Sequence, residues 1–147
     1  MTALGLRPLY ETVDDRVREG SFVDGLCGVW KCEARKLPIH YKLDFALLQG
    51  GVIRAFLETK IRNYTKDHFG AYMISMAKVL AAREYSVFAR VPSLLAVRWT
   101  DGSGVIALNS MKDYELGFGG RGDRGDAQDM EPVVYIPIES FRKVGLQ

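Results

Sequence analysis

The sequence predicts an α/β or α+β domain, a mixed central β-sheet flanked by helices. Three observations carry that expectation. The chain has 147 residues, the size of one domain around one core. Residues 52–61 alternate between two faces behind a glycine turn, the pattern of a half-buried strand. Residues 67–84 then carry an apolar stripe at helical spacing, and short strand patterns follow.

Composition fits this class and removes others. Hydrophobic residues make up 48% and charged residues 26%, which excludes wholesale disorder, and a net charge of +2 excludes a histone-like chain. The N-terminus lacks a basic start followed by an apolar core, and no stretch reaches the ~18 apolar residues of a membrane span, so a cytoplasmic protein is expected. Cys27 and Cys32 are not a CxxC pair and have only His40 and His68 as further soft ligands, so reduced, partly buried thiols are expected rather than a zinc site.

In chain order, Leu9, Val13 and Val17 recur every four residues, so residues 8–19 predict a helix that Gly20 breaks. Phe22, Leu26 and Trp30 form a second helical stripe interrupted by glycines, and Pro38 makes residues 34–40 extended or irregular. Residues 41–48 form an apolar strand with one acid, Asp44, inside it. Gln49-Gly50-Gly51 is a turn, and residues 52–61 complete a β-hairpin. Residues 67–84 predict a largely buried helix, with Phe69, Tyr72, Met73, Met76 and Leu80 on one stripe. Residues 94–100 and 105–109 are strands around the turn Asp101-Gly102-Ser103-Gly104. Residues 117–129, rich in glycine and charge, predict a flexible surface loop. Residues 133–138 predict a short strand, with Pro137 at its end, and residues 139–144 a last helical turn.

One constellation carries chemistry. Glu58 and Lys60 lie two apart on a strand and project from the same face. Asp44 sits on the preceding strand, and its face depends on the turn. A loop at residues 50–52 sets it opposite Glu58, and a loop at 49–51 sets it opposite Phe56 on that same face. A two-residue Gly50-Gly51 turn separates the faces. Two carboxylates at cross-strand distance repel one another unless a divalent ion lies between them, and Mg²⁺ or Mn²⁺ suits such a hard oxygen site. With an adjacent amine these parts describe phosphodiester hydrolysis. Charge points the same way. Residues 31–66 hold eight basic residues and three acids, a net +5, whereas the remainder of the chain is −3. Lys42, Arg54, Arg62, Lys66 and His68 are the candidate nucleic-acid contacts there. The contrary reading is a solvated sheet face with surface charges. It must explain an aspartate inside an apolar strand, where Asp is disfavoured.

Leu43-Asp44-Phe45, the glycine turn and Phe56-Leu57-Glu58-Thr59-Lys60 resemble the motif of the PD-(D/E)XK nuclease superfamily. The resemblance implies a restriction-endonuclease-like core in one domain and a Mg²⁺-dependent deoxyribonuclease, Mn²⁺ substituting, active in replication, recombination or repair. It implies Asp44 and Glu58 as metal ligands, the Thr59 carbonyl as a third and Lys60 as catalytic. It also implies an acid from the first helix, for which Glu11 is the candidate and Asp14 its rival, and a homodimer that cuts both strands. Tyr72 enters through His68-xxx-Tyr72, the spacing of a family Gln-xxx-Tyr motif with His in place of Gln. Leu43 stands where many members have proline. The alternative is a non-catalytic nucleic-acid-binding or assembly protein that keeps the nuclease fold. Arg121-Gly122-Asp123 matches an adhesion tripeptide but lies in a chain with no export signal.

Overall fold

The computed structural model describes residues 13–120 and 130–146. Its first element, α1 (Val13–Trp30), runs straight through Gly20, Gly25 and Gly28. The expected break at Gly20 is absent. Phe22, Val23 and Leu26 form a buried stripe that holds the helix on the sheet, and this packing outweighs the ~1 kcal/mol each glycine costs a helix. Six strands follow as one sheet: β1 (Glu33–Lys36), β2 (Phe45–Gln49), β3 (Val52–Ile61), β5 (Ser93–Trp99), β6 (Gly102–Ala107) and β9 (Arg142–Val144), in that spatial order. β3 and β5 are parallel and the other neighbours antiparallel, so the sheet is mixed as expected.

The central hairpin uses the turn that, from sequence, separates the two faces. Its turn is the two-residue one, with Gly50 and Gly51 at φ +57° and +77°, left-handed values that suit glycine. That turn alone would set Asp44 and Glu58 on opposite faces. A register shift between Leu47 and Leu48 inserts one residue and reverses the parity. Phe45 then pairs with Leu57, and the Asp44 N–H donates to the Leu57 carbonyl at 3.0 Å, which brings Asp44 level with Glu58.

The helix expected over 67–84 divides in two. Ala71–Ser75 is β4, with Tyr72 and Ile74 buried and Met73 exposed, and only Met76–Ala89 is helical (α2). The stripe at 69–76 fits a helix or a strand. Pairing with β8 (Met130–Pro137) decides it, Tyr72 opposite Ile136 and Ile74 opposite Val134. Ser75 caps α2, accepting from the Ala77 N–H at 3.2 Å and donating to Glu131 Oε1 at 2.7 Å. β4, β8 and β7 (Glu115–Gly120) make a second, three-stranded sheet. Residues 117–120, expected in a flexible loop, are thus strand, while the rest of that segment, including the Arg121 tripeptide, lies outside the described residues. The last helical turn is a 3₁₀ turn at Ile138–Ser140 followed by strand β9.

Alternation splits the core across the large sheet. Leu57, Ala96 and Val105 pack under α1, while Leu95, Val97 and Trp99 pack with α2 and the small sheet. Cys27 and Cys32 are free thiols with Sγ atoms 3.6 Å apart, and burial pushes the Cys27 thiol up to about 12. No described helix is long and apolar enough to cross a membrane.

Candidate active site

β2 and β3 are antiparallel, so the start of β2 and the end of β3 meet at one end of the sheet. β3 continues past the first residue of β2, which leaves Glu58, Thr59 and Lys60 beside Asp44. The Thr59 N–H donates to Asp44 Oδ2 at 3.0 Å, and the Thr59 hydroxyl lies 3.4 Å from the same oxygen. Main-chain direction alternates along β3. Leu57 bonds toward β2, whereas Phe56 and Arg62 donate toward the β5 side, to the Pro92 and Arg98 carbonyls. Thr59 therefore turns its carbonyl the same way as Leu57, past the end of β2 and toward Asp44.

Glu58 is only 1% exposed. Burial pushes its carboxyl above the ordinary range, the Lys78 ammonium counters this most strongly, the Asp44 carboxylate adds to the rise and Lys60 opposes it. Lys78 Nζ stands 3.1 Å from Glu58 Oε2 and 3.3 Å from Oε1, and Lys60 Nζ is 3.5 Å from Oε2. Lys78 also donates to the Lys42 carbonyl at 2.7 Å, tying α2 to the segment that precedes Asp44. On the opposite face Glu19 of α1 accepts from the Thr59 hydroxyl at 3.3 Å and pairs with Lys36 at 3.0 Å.

Asp44, Glu58, Thr59 and Lys60 are thus brought together. Glu11 lies outside the described residues, and Asp14 is exposed at the start of α1. The α1 acid at this site is Glu19, which a helix ending at residue 19 concealed. Its signal is its place one turn before Phe22 on the buried stripe. Lys78 was likewise missed, hidden by a helix drawn to begin nine residues early. Tyr72 needs correcting, because it lies on β4 and not on a helix with His68. It is 4% exposed, packed against Trp99 and Phe141, and burial pushes its hydroxyl pKa up. Arg54 also lies elsewhere. It is roughly 13 Å down the strand from Glu58, in a cleft with Trp30, Gln49 and Arg142. Lys42, Arg62, Lys66 and His68 flank the site end of the sheet, on the segments before Asp44 and after Ile61.

Among the described residues no three His, Cys, Asp or Glu side chains form a metal-holding group. A Mg²⁺ site does not need three, because this ion is usually held by one or two carboxylates and keeps several waters. The donors present fit it. They are two carboxylates, one of them deeply buried and compensated by ammonium groups, and one main-chain carbonyl turned the same way.

A family model described as "Phage putative PDDEXK endonuclease" matches residues 5–144. No curated protein matches the chain. Among solved structures, the Archaeoglobus fulgidus Hjc, a Holliday junction resolvase from an archaeal hyperthermophile, superimposes with a TM-score of 0.54 at 10% identity, over 88% of this chain and 89% of that one. At that identity the likeness shows a shared fold, a restriction-endonuclease-like core.

Proposed function

The chain belongs to that family of phage PDDEXK endonucleases, and we propose that it is a Mg²⁺-dependent deoxyribonuclease, Mn²⁺ substituting, that hydrolyses DNA phosphodiester bonds internally. The observation that carries this reading is the buried Glu58 carboxylate beside two ammonium groups, with Asp44 held to the Thr59 N–H where β2 stops short. Asp44, Glu58 and the Thr59 carbonyl would hold the ion. When bound, the ion supplies Lewis-acid polarisation of a phosphoryl oxygen and a lower pKa for a coordinated water. Lys60, its side chain 37% exposed, reaches both Glu58 and solvent, so it can orient the attacking water or offset charge that develops on the phosphoryl group. Glu19 positions Thr59 by accepting a hydrogen bond from its hydroxyl. Lys42, Arg62 and Lys66 would hold phosphates of either strand without reading sequence.

Replication, recombination or repair is the setting this chemistry serves, and a homodimer would place two sites on the two strands of a duplex. The test is nicking of supercoiled plasmid with Mg²⁺. Wild type is expected to cut, and Glu58→Gln and Lys60→Ala to fold but not cut. Cleavage retained by both variants would overturn the assignment. DNA binding without nicking across duplex, branched and single-stranded substrates would favour the non-catalytic alternative.

A further inference from the structure

The nuclease reading, on which this inference rests, leaves unexplained a set of aromatic rings on the segments at the end of the sheet that carries the site. Two segments leave the sheet at that end, one entering β2 just before Asp44 and one leaving β3 just after Lys60. The second carries Tyr64, His68 and Phe69. The His68 and Phe69 rings lie 4.5 Å apart at 85°, and Phe69 meets Tyr64 at 5.1 Å and 86°. Phe69 is 54% exposed and His68 is exposed. The first segment also pairs two rings, His40 and Tyr41, 4.8 Å apart and tilted at 46°, with Tyr41 44% exposed.

A single exposed ring needs no explanation. Here the rings are grouped, fixed and interleaved with cations. The first segment is held by the Tyr85 hydroxyl, which accepts from the Lys42 N–H at 3.1 Å. The second is held by the Thr100 N–H to the Tyr64 carbonyl at 3.1 Å and by the Lys66 N–H to Asp101 Oδ1 at 2.9 Å. Fixed rings bind at a lower entropic cost than mobile ones. Lys42 follows the first pair of rings in the chain, and Arg62 and Lys66 flank Tyr64, the Arg62 guanidinium 5.4 Å from the Tyr72 ring centroid and the Lys66 ammonium 5.9 Å from that of Trp99. Cations alternating with rings suit a chain of phosphates and bases. A regular duplex would use only the cations, since its bases stack on one another inside. Rings gain from a base only when that base is splayed out.

We infer that Phe69, supported by Tyr64 and His68, is a stacking platform for an unpaired base next to the scissile phosphate, so that the preferred substrate is DNA with unpaired or splayed nucleotides. The Tyr41 ring offers a second such surface across the site.

Fluorescence anisotropy in EDTA, where nothing is cut, compares the full chain on three labelled DNAs of equal length: perfect duplex, duplex with an unpaired gap, and single strand. A 2-aminopurine at the unpaired position reports stacking. Wild type is expected to bind the gapped DNA at least about tenfold more tightly than duplex and to quench the 2-aminopurine. Phe69→Ala is expected to lower that preference roughly tenfold and abolish the quench, while Phe69→Trp restores both. Unfolding curves identify any variant that fails to fold, and Phe69→Leu then replaces Phe69→Ala. Equal wild-type affinity for gapped and perfect duplex, or a quench that survives Phe69→Ala, overturns the inference. If duplex is still cut with Mg²⁺ in that case, the nuclease reading stands. A quench that depends on Phe69, with no Mg²⁺-dependent cleavage of any of the three DNAs, supports the platform and removes the nuclease reading instead.

Discussion

Replacing Lys78 with methionine keeps the aliphatic stem and removes the ammonium group that most strongly offsets the burial of Glu58. Lys78 contacts both carboxylate oxygens, at 3.1 and 3.3 Å, and the Lys42 carbonyl at 2.7 Å. A hydrogen bond to a charged group contributes about 1.5–3 kcal/mol, and stranding a buried charge costs about 3–5 kcal/mol. The upper range does not apply, because Lys60 stays at 3.5 Å and the Lys78 side chain is already 29% exposed. The expected loss is about 2 kcal/mol near pH 8. The pH dependence has a definite sign. Glu58 in the folded chain holds its proton to higher pH than in the unfolded chain, and losing Lys78 widens that gap. Its contribution is therefore fully present below the ordinary carboxylate range and is lost as pH rises through the folded value. Urea unfolding of wild type and Lys78→Met at about pH 5 and about pH 8 measures this, with a deficit clearly smaller at the lower pH. An equal deficit at both, or none at pH 8, would refute the buried-charge reasoning.

Other expectations are simpler to state. Lys60→Ala should lower Mg²⁺-dependent cleavage by about 10²–10⁴-fold with little change in unfolding midpoint, as its side chain is 37% exposed. Tyr72→Phe should leave cleavage within about twofold, because the hydroxyl lies in the core, and a larger loss would return Tyr72 to the catalytic set. Gly20→Ala and Gly28→Ala should each raise stability by about 0.5–1 kcal/mol in urea unfolding, since a Cβ there meets nothing within 4 Å. Gly117→Ala should lower it by about 1–3 kcal/mol, because a Cβ would stand 2.5 Å from Tyr135 Cε2.

Elements whose partners lie close in the chain were legible, and those fixed by distant pairing were not. The hairpin around Gly50 was readable because turn chemistry and alternation are local, but the Asp44–Glu58 pairing was reached through three-residue turns that do not form. The bulge at Leu47 and Leu48 has no sequence signal, yet without it the two-residue turn would have defeated that pairing. β4 was concealed because Phe69, Tyr72, Met73 and Met76 have helical spacing while Tyr72 and Ile74 make a strand face, and the choice is made by Ile136 and Val134, some sixty residues on. The helical reading then misplaced Tyr72 and hid Lys78. Gly20, read as a stop, hid the length of α1 in the same way. With the helix ended there, Glu19 was not weighed, whereas the buried residues beyond Gly20 carry the helix onward and bring Glu19 to Thr59.

The account rests on Asp44, Glu58 and the Thr59 carbonyl acting together as a metal site. Anomalous diffraction from crystals soaked in Mn²⁺ tests this directly. An ion bonded to both carboxylates and to the Thr59 carbonyl, with its remaining positions filled by water, is the expected result. Crystals without a Mn²⁺ peak there, with Glu58 still closed on Lys78 and Lys60, would contradict it.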